Sequence, residues 1–185
     1  MKLRPSTHRI PSDRLTGARV LLRPPVPGDA AQLFEHVAHD PAVIRYLTWV
    51  AHPTVATTRR VILDKINTTP TDRTWAITVR DGGAVIGLLS CRRDAPHAVE
   101  VGYCIGRRWW GLGLMSESLE LVVTALAQDP SLYRIWATCH VDNAASCRVL
   151  ERGGFSHEGR LARHLVYPNL GPTPGDSLLY GLAVR

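Results

Sequence analysis

The sequence lacks the long apolar runs of a membrane protein. No stretch of its 185 residues approaches 18 consecutive apolar residues, so we expect no transmembrane helix and no membrane partner. The opening segment, MKLRPSTHRIPSDRL, is basic but contains no apolar signal-peptide region, which argues against secretion. We therefore expect a cytoplasmic protein.

Cysteine is also scarce, and its spacing excludes two classes of site. The chain has four cysteines and no CxxC pair, so neither a disulfide scaffold nor a structural zinc site is indicated, and we expect reduced thiols and no metal. Cys139 and His140 are adjacent, but neighbours in a strand point to opposite faces. They therefore make a poor nucleophile–base couple, and the cysteines are interpreted as small apolar residues.

Positive charge is in surplus, but the basic residues are spread along the sequence. The chain carries 22 Lys and Arg against 16 Asp and Glu, a formal net charge of +6. Basic proteins meet nucleic acids, anionic membranes or phosphorylated small molecules. No basic helix or aromatic RNA-binding pattern is present, so direct nucleic-acid binding is not expected. The arginine doublet at 107–108 is the one placed specifically enough to suggest a ligand.

The apolar spacing predicts one mixed α/β domain over residues 14–185, preceded by a loose arm over residues 1–13. The predicted order is β-α-α-β-β-β-α-β-α-β-β, with a hairpin turn at Asp81-Gly82-Gly83. Asp29 is the expected N-cap of the first helix. The predicted segments are strands near 19–27, 98–107 and 134–141, and helices near 29–38, 55–67, 114–126 and from Asn143.

The stretch RRWWGLGLMSES (107–118) joins a predicted strand to a predicted helix. Gly111 and Gly113 allow positive φ and bring bare main-chain amides to the turn. The following helix adds the positive end of its dipole, and Arg107 and Arg108 add charged donors. Together these features predict a pyrophosphate cradle. The alternative is a tight turn flanked by solvated arginines.

Two other phosphate motifs fit this stretch poorly. A P-loop requires a lysine after the glycines, and none follows here. A dinucleotide fingerprint requires GxGxxG, whereas GLGLMS places Ser116 at the third glycine, and no β-α-β unit opens the chain.

The segment RWWGLG (108–113) resembles the R/Q-x-x-G-x-G/A acyl-CoA motif of the GNAT N-acetyltransferase superfamily. VEVGYCIG just upstream resembles that family's fourth strand, and HVDNAASCRVLERGGF resembles its next strand and helix. The N-terminal pattern RLTGARVLLRP…GDAAQLFEHVAHDPAVIRYLTW is similar to the RimJ/RimL-like branch, which includes acetyltransferases of ribosomal-protein N-termini. The resemblance covers about residues 13 to 185.

The resemblance implies an α/β (α+β) fold with a mixed, mostly antiparallel sheet of about six or seven strands and about four flanking helices. The fourth and fifth strands, here 98–106 and 134–141, would splay apart around the pantetheine arm of acetyl-CoA, the expected co-substrate. A main-chain N–H near Ile105 would hold the developing oxyanion. The implied co-substrate-binding residues are Tyr103, Cys104, Ile105, Arg107, Arg108, Trp109, Trp110, Gly111, Leu112, Gly113, Leu114, Asn143 and Ser146.

The resemblance also implies direct attack of an amine on the thioester in a ternary complex. Glu100 is the candidate base, alone or through water; it is otherwise a solvent-facing strand residue. Ser146 matches the position of the general acid for the departing thiolate, and Asn143 would contact pantetheine unless it only caps the helix. His140 and His97 are secondary candidates for the base.

The acceptor amine is the least specified part of the hypothesis. Residues 43–54 and 168–176 would border its pocket, with Tyr46, Trp49 and His52 as candidate lining. The acceptor is predicted to be a protein N-terminal amine or a small-molecule amine. A non-catalytic acyl-CoA-binding module and, more distantly, a nucleotide-dependent oxidoreductase are the alternatives. The protein is expected to be a monomer or a homodimer.

Overall fold

The computed structural model of the chain describes residues 13–80 and 83–185. Apart from Asp13, the predicted loose arm lies outside these residues, as do the first two positions of the predicted hairpin turn. Gly83, the third position of that turn, has a φ of 61°, which a residue without a side chain adopts at little cost.

The described residues form one sheet of eight strands, in the order β1-β2-β3-β4-β5-β6-β8-β7. Neighbouring strands are antiparallel except β5 and β6, which are parallel. The mixed, mostly antiparallel sheet confirms the predicted fold class. The strands are β1 Leu15–Thr16, β2 Val20–Arg23, β3 Asp72–Val79, β4 Val85–Ala95, β5 Ala98–Ile105, β6 Arg134–His140, β7 Ser156–Val166 and β8 Pro174–Ala183.

Five α-helices accompany the sheet within the described ranges. The predicted order holds, with the short β1 and the one-turn α2 as additions. The helices are α1 Ala30–Leu33, which continues as a π-helix over Phe34–Ala38, α2 Pro41–Ile44, α3 Val55–Asp64, α4 Leu114–Leu126 and α5 Ala144–Arg152.

Two helix ends differ from the prediction. Asp29 does not cap the first helix: it has helical φ/ψ, its carboxylate forms a bidentate pair with Arg23, and it accepts the Val26 N–H. Helix α3 stops at Asp64 rather than near 67. There Asn67 has a φ of 55°, and its side-chain amide pairs with the main chain of Thr74 on β3, which turns the chain into the sheet.

The two faces of the sheet carry separate apolar clusters. In β5, Val99 and Val101 face the cluster under α4 and α5, whereas Cys104 packs against the cluster under the N-terminal helices. This alternation follows from the two-residue period of a strand. It places Glu100 and Gly102 on the N-terminal-helix face.

Strands β5 and β6 separate soon after they begin to pair. Their parallel register covers only Ala98–Glu100 against Arg134–Trp136. Beyond Glu100, β5 stays paired with β4 and β6 stays paired with β8, so a gap opens between them. This confirms the predicted splay of the fourth and fifth principal strands and positions the site described next.

Candidate functional site

The turn between β5 and α4 exposes a row of main-chain donors. Gly111 and Gly113 have φ of 75° and 76°, and α4 begins at Leu114. From Gly111 to Ser116, six consecutive N–H groups find no acceptor anywhere in residues 13–80 and 83–185. Successive free amides at the N-terminus of a 13-residue helix form a concavity suited to an anion.

Arg19 on β2 braces this turn from outside. Its side chain donates to the Leu112 carbonyl at 2.9 Å and pairs with the Glu117 carboxylate at 2.8 Å. Burial alone would raise the pKa of Glu117, but the hydrogen bonds from Arg19 outweigh it and the pKa is lowered. The carboxylate nearest the free amides is therefore neutralised by a cation. No motif in the sequence singled out Arg19.

The two arginines of the doublet differ in their surroundings. Arg107 pairs through Nε with Asp40 at 3.2 Å, and Asp40 also caps α2 by accepting the Ala42 N–H. Arg108 lies over the Trp109 ring, 5.9 Å from its centroid. Arg107 is thus tied to the N-terminal helices, whereas Arg108 forms no ion pair within residues 13–80 and 83–185.

The two tryptophans have separate roles. Trp109 lies so close over Gly106 that a Cβ there would be 2.8 Å from its ring, and it meets His36 edge-on at 4.6 Å. Trp110 is half-exposed, and its Nε1 donates to the Ile105 carbonyl at 2.8 Å. Trp109 anchors the start of the turn, and Trp110 fixes the end of β5.

A groove of about 460 Å³ runs from this turn into the gap. Nine of the predicted co-substrate residues line it, whereas Arg107, Arg108, Leu112 and Leu114 do not. Two cations that the sequence did not suggest, Arg148 and Arg152 on α5, line its other wall. The predicted lining residues are Tyr103, Cys104, Ile105, Trp109, Trp110, Gly111, Gly113, Asn143 and Ser146.

Main-chain groups of β5 point into the gap at alternate residues. The Gly106 N–H donates to the Ile86 carbonyl on β4 at 2.8 Å. In an antiparallel ladder, Cys104 then also turns its main chain toward β4, while Tyr103 and Ile105 turn theirs toward the gap. Within the stretch 104–106, only Ile105 presents its amide to the groove.

Ser146 and Tyr103 meet where the groove enters the gap. Asn143 caps α5, its Oδ1 accepting the Ser146 N–H at 3.1 Å. The Tyr103 hydroxyl donates to the Ser146 carbonyl at 3.2 Å and lies 3.0 Å from Ser146 Oγ. Burial raises the pKa of Tyr103, so its hydroxyl keeps its proton through the physiological range. The resemblance implied a co-substrate contact for Tyr103 but not its contact with Ser146.

Glu100 lines a smaller cavity of about 170 Å³ beside the groove, together with Gly102, Tyr103 and Ser146. Its carboxylate pairs with Arg92 on β4, and its side chain is 25% exposed. The candidate base and the candidate acid therefore border one space, and Arg92 occupies one carboxylate oxygen. An accessible carboxylate at the point of strand separation can accept a proton directly or through water.

The secondary histidine candidates are placed differently. His97 is exposed at the paired end of β5, where its carbonyl accepts from the main chain of Tyr133 and Arg134. His140 is buried between Tyr46 and Tyr167, and its Nδ1 accepts the Asp142 N–H at 3.1 Å. Both arrangements fit structural roles.

The cysteines are not arranged for nucleophilic chemistry. Cys139 and Cys147 are free thiols with their sulfurs 3.7 Å apart. Burial, followed by the neighbouring Cys147, raises the pKa of Cys139 to about 12, and burial also raises the pKa of Cys104 to about 12. A neutral thiol is a weak nucleophile. In the part of the chain described, no group of three His, Cys, Asp or Glu side chains is placed to hold a metal ion.

The predicted acceptor segments lie together. Asn169 donates to the carbonyls of Ile44 and Trp49, both at 2.8 Å, and so joins the two loops. A chamber of about 550 Å³, here called the acceptor chamber, lies between β3–β5 and the N-terminal helices and includes Trp49 and His52 in its lining. Tyr46 lines the groove and the smaller cavity instead.

Comparison with known proteins agrees with this geometry. A family model described as an acetyltransferase (GNAT) domain matches residues 19–156, well over half of the chain. The chain belongs to the GNAT acetyltransferase family.

Similar curated proteins include acetyltransferases of ribosomal proteins. YoaA, an uncharacterized N-acetyltransferase of Bacillus subtilis (strain 168), is 36% identical over 110 residues, 58% of this chain and 60% of that protein. The ribosomal protein uS5-alanine N-acetyltransferase of Escherichia coli (strain K12) is 35% identical over 74 residues, 40% of this chain and 38% of that protein. The alignments thus span less than two thirds of these relatives.

Solved structures show the same fold. RimL, a ribosomal alpha-N-protein acetyltransferase solved with coenzyme A, superposes with a TM-score of 0.79 at 22% identity, covering 92% of this chain and 97% of that one. At this identity the likeness concerns the GNAT fold alone. Among the residues described here, no helix is long and apolar enough to cross a membrane.

Proposed function

We propose that this GNAT protein transfers the acetyl group of acetyl-CoA to a primary amine. The observation that carries the proposal is the row of unsatisfied amides from Gly111 to Ser116 at the mouth of a groove that leads into the strand gap. Gly111 and Leu112 are exposed, whereas Gly113 to Ser116 are buried or half-buried, and main-chain donors without partners at such positions are costly unless a ligand or water satisfies them. A diphosphate is the ligand that such a turn suits best.

The groove offers complementary groups along the length of acetyl-CoA. The glycine turn and Arg108 would hold the diphosphate, while Arg148 and Arg152 supply further cations across the groove. The main chain of Tyr103 would pair with the pantetheine arm as an added strand pairs with a sheet edge, which leaves the Ile105 N–H for the thioester carbonyl. Asn143 lines the groove, and with its Oδ1 capping α5 its Nδ2 would donate to the same arm.

Bound acetyl-CoA supplies an activated thioester. The amine nitrogen forms a bond to the acetyl carbon while the carbon–sulfur bond breaks, and the Ile105 N–H stabilises the negative charge that develops on the carbonyl oxygen. Glu100 takes the proton released by the amine, directly or through water. Ser146 gives its proton to the leaving sulfur and regains one from solvent, while Tyr103 keeps its proton and orients the Ser146 hydroxyl through the 3.0 Å contact.

The first test is release of coenzyme A thiol from acetyl-CoA in the presence of a panel of peptides and small amines. The proposal predicts thiol release and a matching acetylated amine for at least one acceptor. Binding of acetyl-CoA without release for any amine would instead identify a non-catalytic acyl-CoA-binding module. Preferential binding of a nicotinamide dinucleotide would point to an oxidoreductase.

The second test separates the two arginines. Arg108→Ala should weaken acetyl-CoA binding by about 1.5–3 kcal/mol, the range for hydrogen bonds to charged groups. Arg107→Ala is the matched control and should have a smaller effect, since Arg107 is paired with Asp40. Calorimetric titration measures both. Equal affinities for the wild type and Arg108→Ala would remove Arg108 from the diphosphate site.

A further inference from the structure

The acceptor chamber opens onto the point of transfer. It shares Leu47, Tyr103 and Cys104 with the groove proposed for acetyl-CoA, and it reaches the sheet beside Gly102. A molecule in the chamber would thus meet the acetyl group at the strand gap. The volume of about 550 Å³ lies within the range of small-molecule sites.

The chamber walls are mainly apolar. Trp49 tilts against His52 at 5.2 Å between ring centres, and aliphatic side chains from α1, α3 and β4 complete the lining. The aliphatic residues are Leu33, Val37, Val61, Ile62 and Leu88. Burying an apolar side chain of the acceptor here would contribute about 25 cal/mol for each Å² removed from water.

The charge of the chamber has one sign. Lys65 is the single charged residue in its lining, and no carboxylate within residues 13–80 and 83–185 pairs with it. His52 is half-buried, whereas Lys65 is exposed; burial lowers the pKa of His52, and its Nδ1 contacts the Thr58 hydroxyl at 2.9 Å. Lys65 is therefore the cation of the lining, while the Glu100 carboxylate lines the adjoining cavity, which shares Gly102 and Tyr103 with the chamber.

This arrangement selects among classes of amine. Polycationic acceptors require carboxylates, and the chamber lining contains none. A lysine without a carboxylate partner among the described residues, in the lining of an apolar chamber, favours an acceptor that carries an anion. The same positive charge disfavours a protonated amine inside the chamber and so favours the neutral form that attacks.

We propose that the acceptor is a small amino acid-like molecule with an apolar or aromatic side chain and a free carboxylate. Its amine lies toward Tyr103, its side chain occupies the apolar walls, and its carboxylate meets Lys65. This inference rests on the proposed acetyl transfer and narrows the acceptor class.

The experiment compares phenylalanine with 2-phenylethylamine, which has the same aromatic body and amine without the carboxylate. Both are assayed by thiol release with wild-type protein and with Lys65→Met. The inference predicts that Lys65→Met lowers kcat/KM for phenylalanine roughly tenfold, mainly through KM, and leaves 2-phenylethylamine unchanged. Because each substrate is compared across variants, the different basicities of the two amines cancel.

Arg60→Met is the matched control, since it removes a cation from the exposed side of the same helix. It should leave both substrates unchanged. Equal effects of Lys65→Met on the two amines, or better turnover of a phenylalanine-initiated peptide than of free phenylalanine, overturn the inference while acetyl transfer stands. If acetyl-CoA binds but no amine causes thiol release, the proposed function itself is wrong.

Discussion

At the scale of single residues, the contact between Tyr103 and Ser146 joins two positions that are 43 residues apart in the chain. The serine was predicted as the proton donor from its place in Asn143-Ala-Ala-Ser146, and that role remains a prediction. The structure adds a second hydroxyl behind it. Because burial raises the pKa of Tyr103, this hydroxyl is available as a donor across the working pH range.

Tyr103→Phe should therefore lower kcat by about 10²-fold, the lower end of general acid–base effects, with little change in acetyl-CoA affinity. Ser146→Ala should have a similar effect, and the double variant should be no worse than either alone, since Tyr103 acts only through the Ser146 hydroxyl, on one path to the sulfur. Steady-state kinetics with calorimetric affinities tests this. Tyr133→Phe, at an exposed tyrosine, is the control. Additive losses would contradict the shared path.

Glu100→Gln should lower kcat most at low pH. There most of the amine is protonated and needs a base, whereas at high pH it arrives neutral and the variant recovers. A pH profile of kcat measures the effect. Glu120→Gln, an exposed glutamate on α4, should keep the wild-type profile. A Glu100→Gln profile that overlays the wild type would remove this carboxylate from the mechanism.

At the scale of elements, the glycine turn and α4 act as one binding unit. Gly113 has a φ of 76°, and a Cβ there would lie 3.4 Å from the Arg19 guanidinium that braces the turn. A side chain in this conformation costs about 1–2 kcal/mol.

Gly113→Ala should weaken acetyl-CoA binding about fivefold and lower the thermal midpoint, because the turn must leave its anion-binding geometry or remain strained. Calorimetry and thermal unfolding measure the two effects. Gly159→Ala is the control: its added Cβ would meet open space, and Gly159 lacks a positive φ. If both variants bind acetyl-CoA like the wild type, the turn conformation is not required.

Apolar periodicity and capping residues predicted those helices whose formation depends on neighbouring residues in the sequence. The periodicity predicted α4 over 114–126, and Asn143 was correctly considered as the cap of α5. The splay of β5 and β6 came from the family resemblance, not from periodicity. Strand separation depends on pairing with β4 and β8, which no local pattern contains.

The site was predicted in part for the same reason. Gly111 and Gly113 can be recognised from residue type. Arg19 cannot, because it reaches the turn from β2 and is separated from Leu112 by 93 residues in the sequence. Arg148 joins the groove only because α5 packs beside the gap. Lys65 was not singled out, since a lysine at a helix end is usually a solvated charge.

At the scale of the whole molecule, a buried ion pair outside the candidate site stabilises the sheet. Arg93 on β4 forms a salt bridge with Asp129, which follows α4. The two side chains are only 4% and 6% exposed. Arg93 also donates to the Pro96 carbonyl at 2.7 Å. Burial would raise the pKa of Asp129, but hydrogen bonds from Ser131, with the charge of Arg93, outweigh it and lower the pKa.

Asp129→Asn should reduce the free energy of unfolding by about 3–5 kcal/mol, the cost of leaving a buried charge unpaired. Because the folded-state pKa is lowered, this carboxylate stabilises the fold above its unfolded pKa of about 4. The contribution is lost as the pH falls below that value. Denaturant unfolding between pH 7 and pH 3 should show a shallower acid loss in Asp129→Asn than in wild type. Asp64→Asn, exposed on α3, is the control. Parallel curves would contradict the role of Asp129.

The account rests on main-chain amides at the β5–α4 turn binding the diphosphate of coenzyme A, and amide NMR spectra of ¹⁵N-labelled protein test it most directly. Acetyl-CoA should shift the amide resonances of Gly111 to Ser116 strongly, as hydrogen bonds form to phosphate oxygens. S-acetylpantetheine, which lacks the diphosphate, should leave them in place and shift Tyr103 and Ile105 instead. Saturating acetyl-CoA that leaves the resonances of Gly111 to Ser116 unmoved would contradict the account.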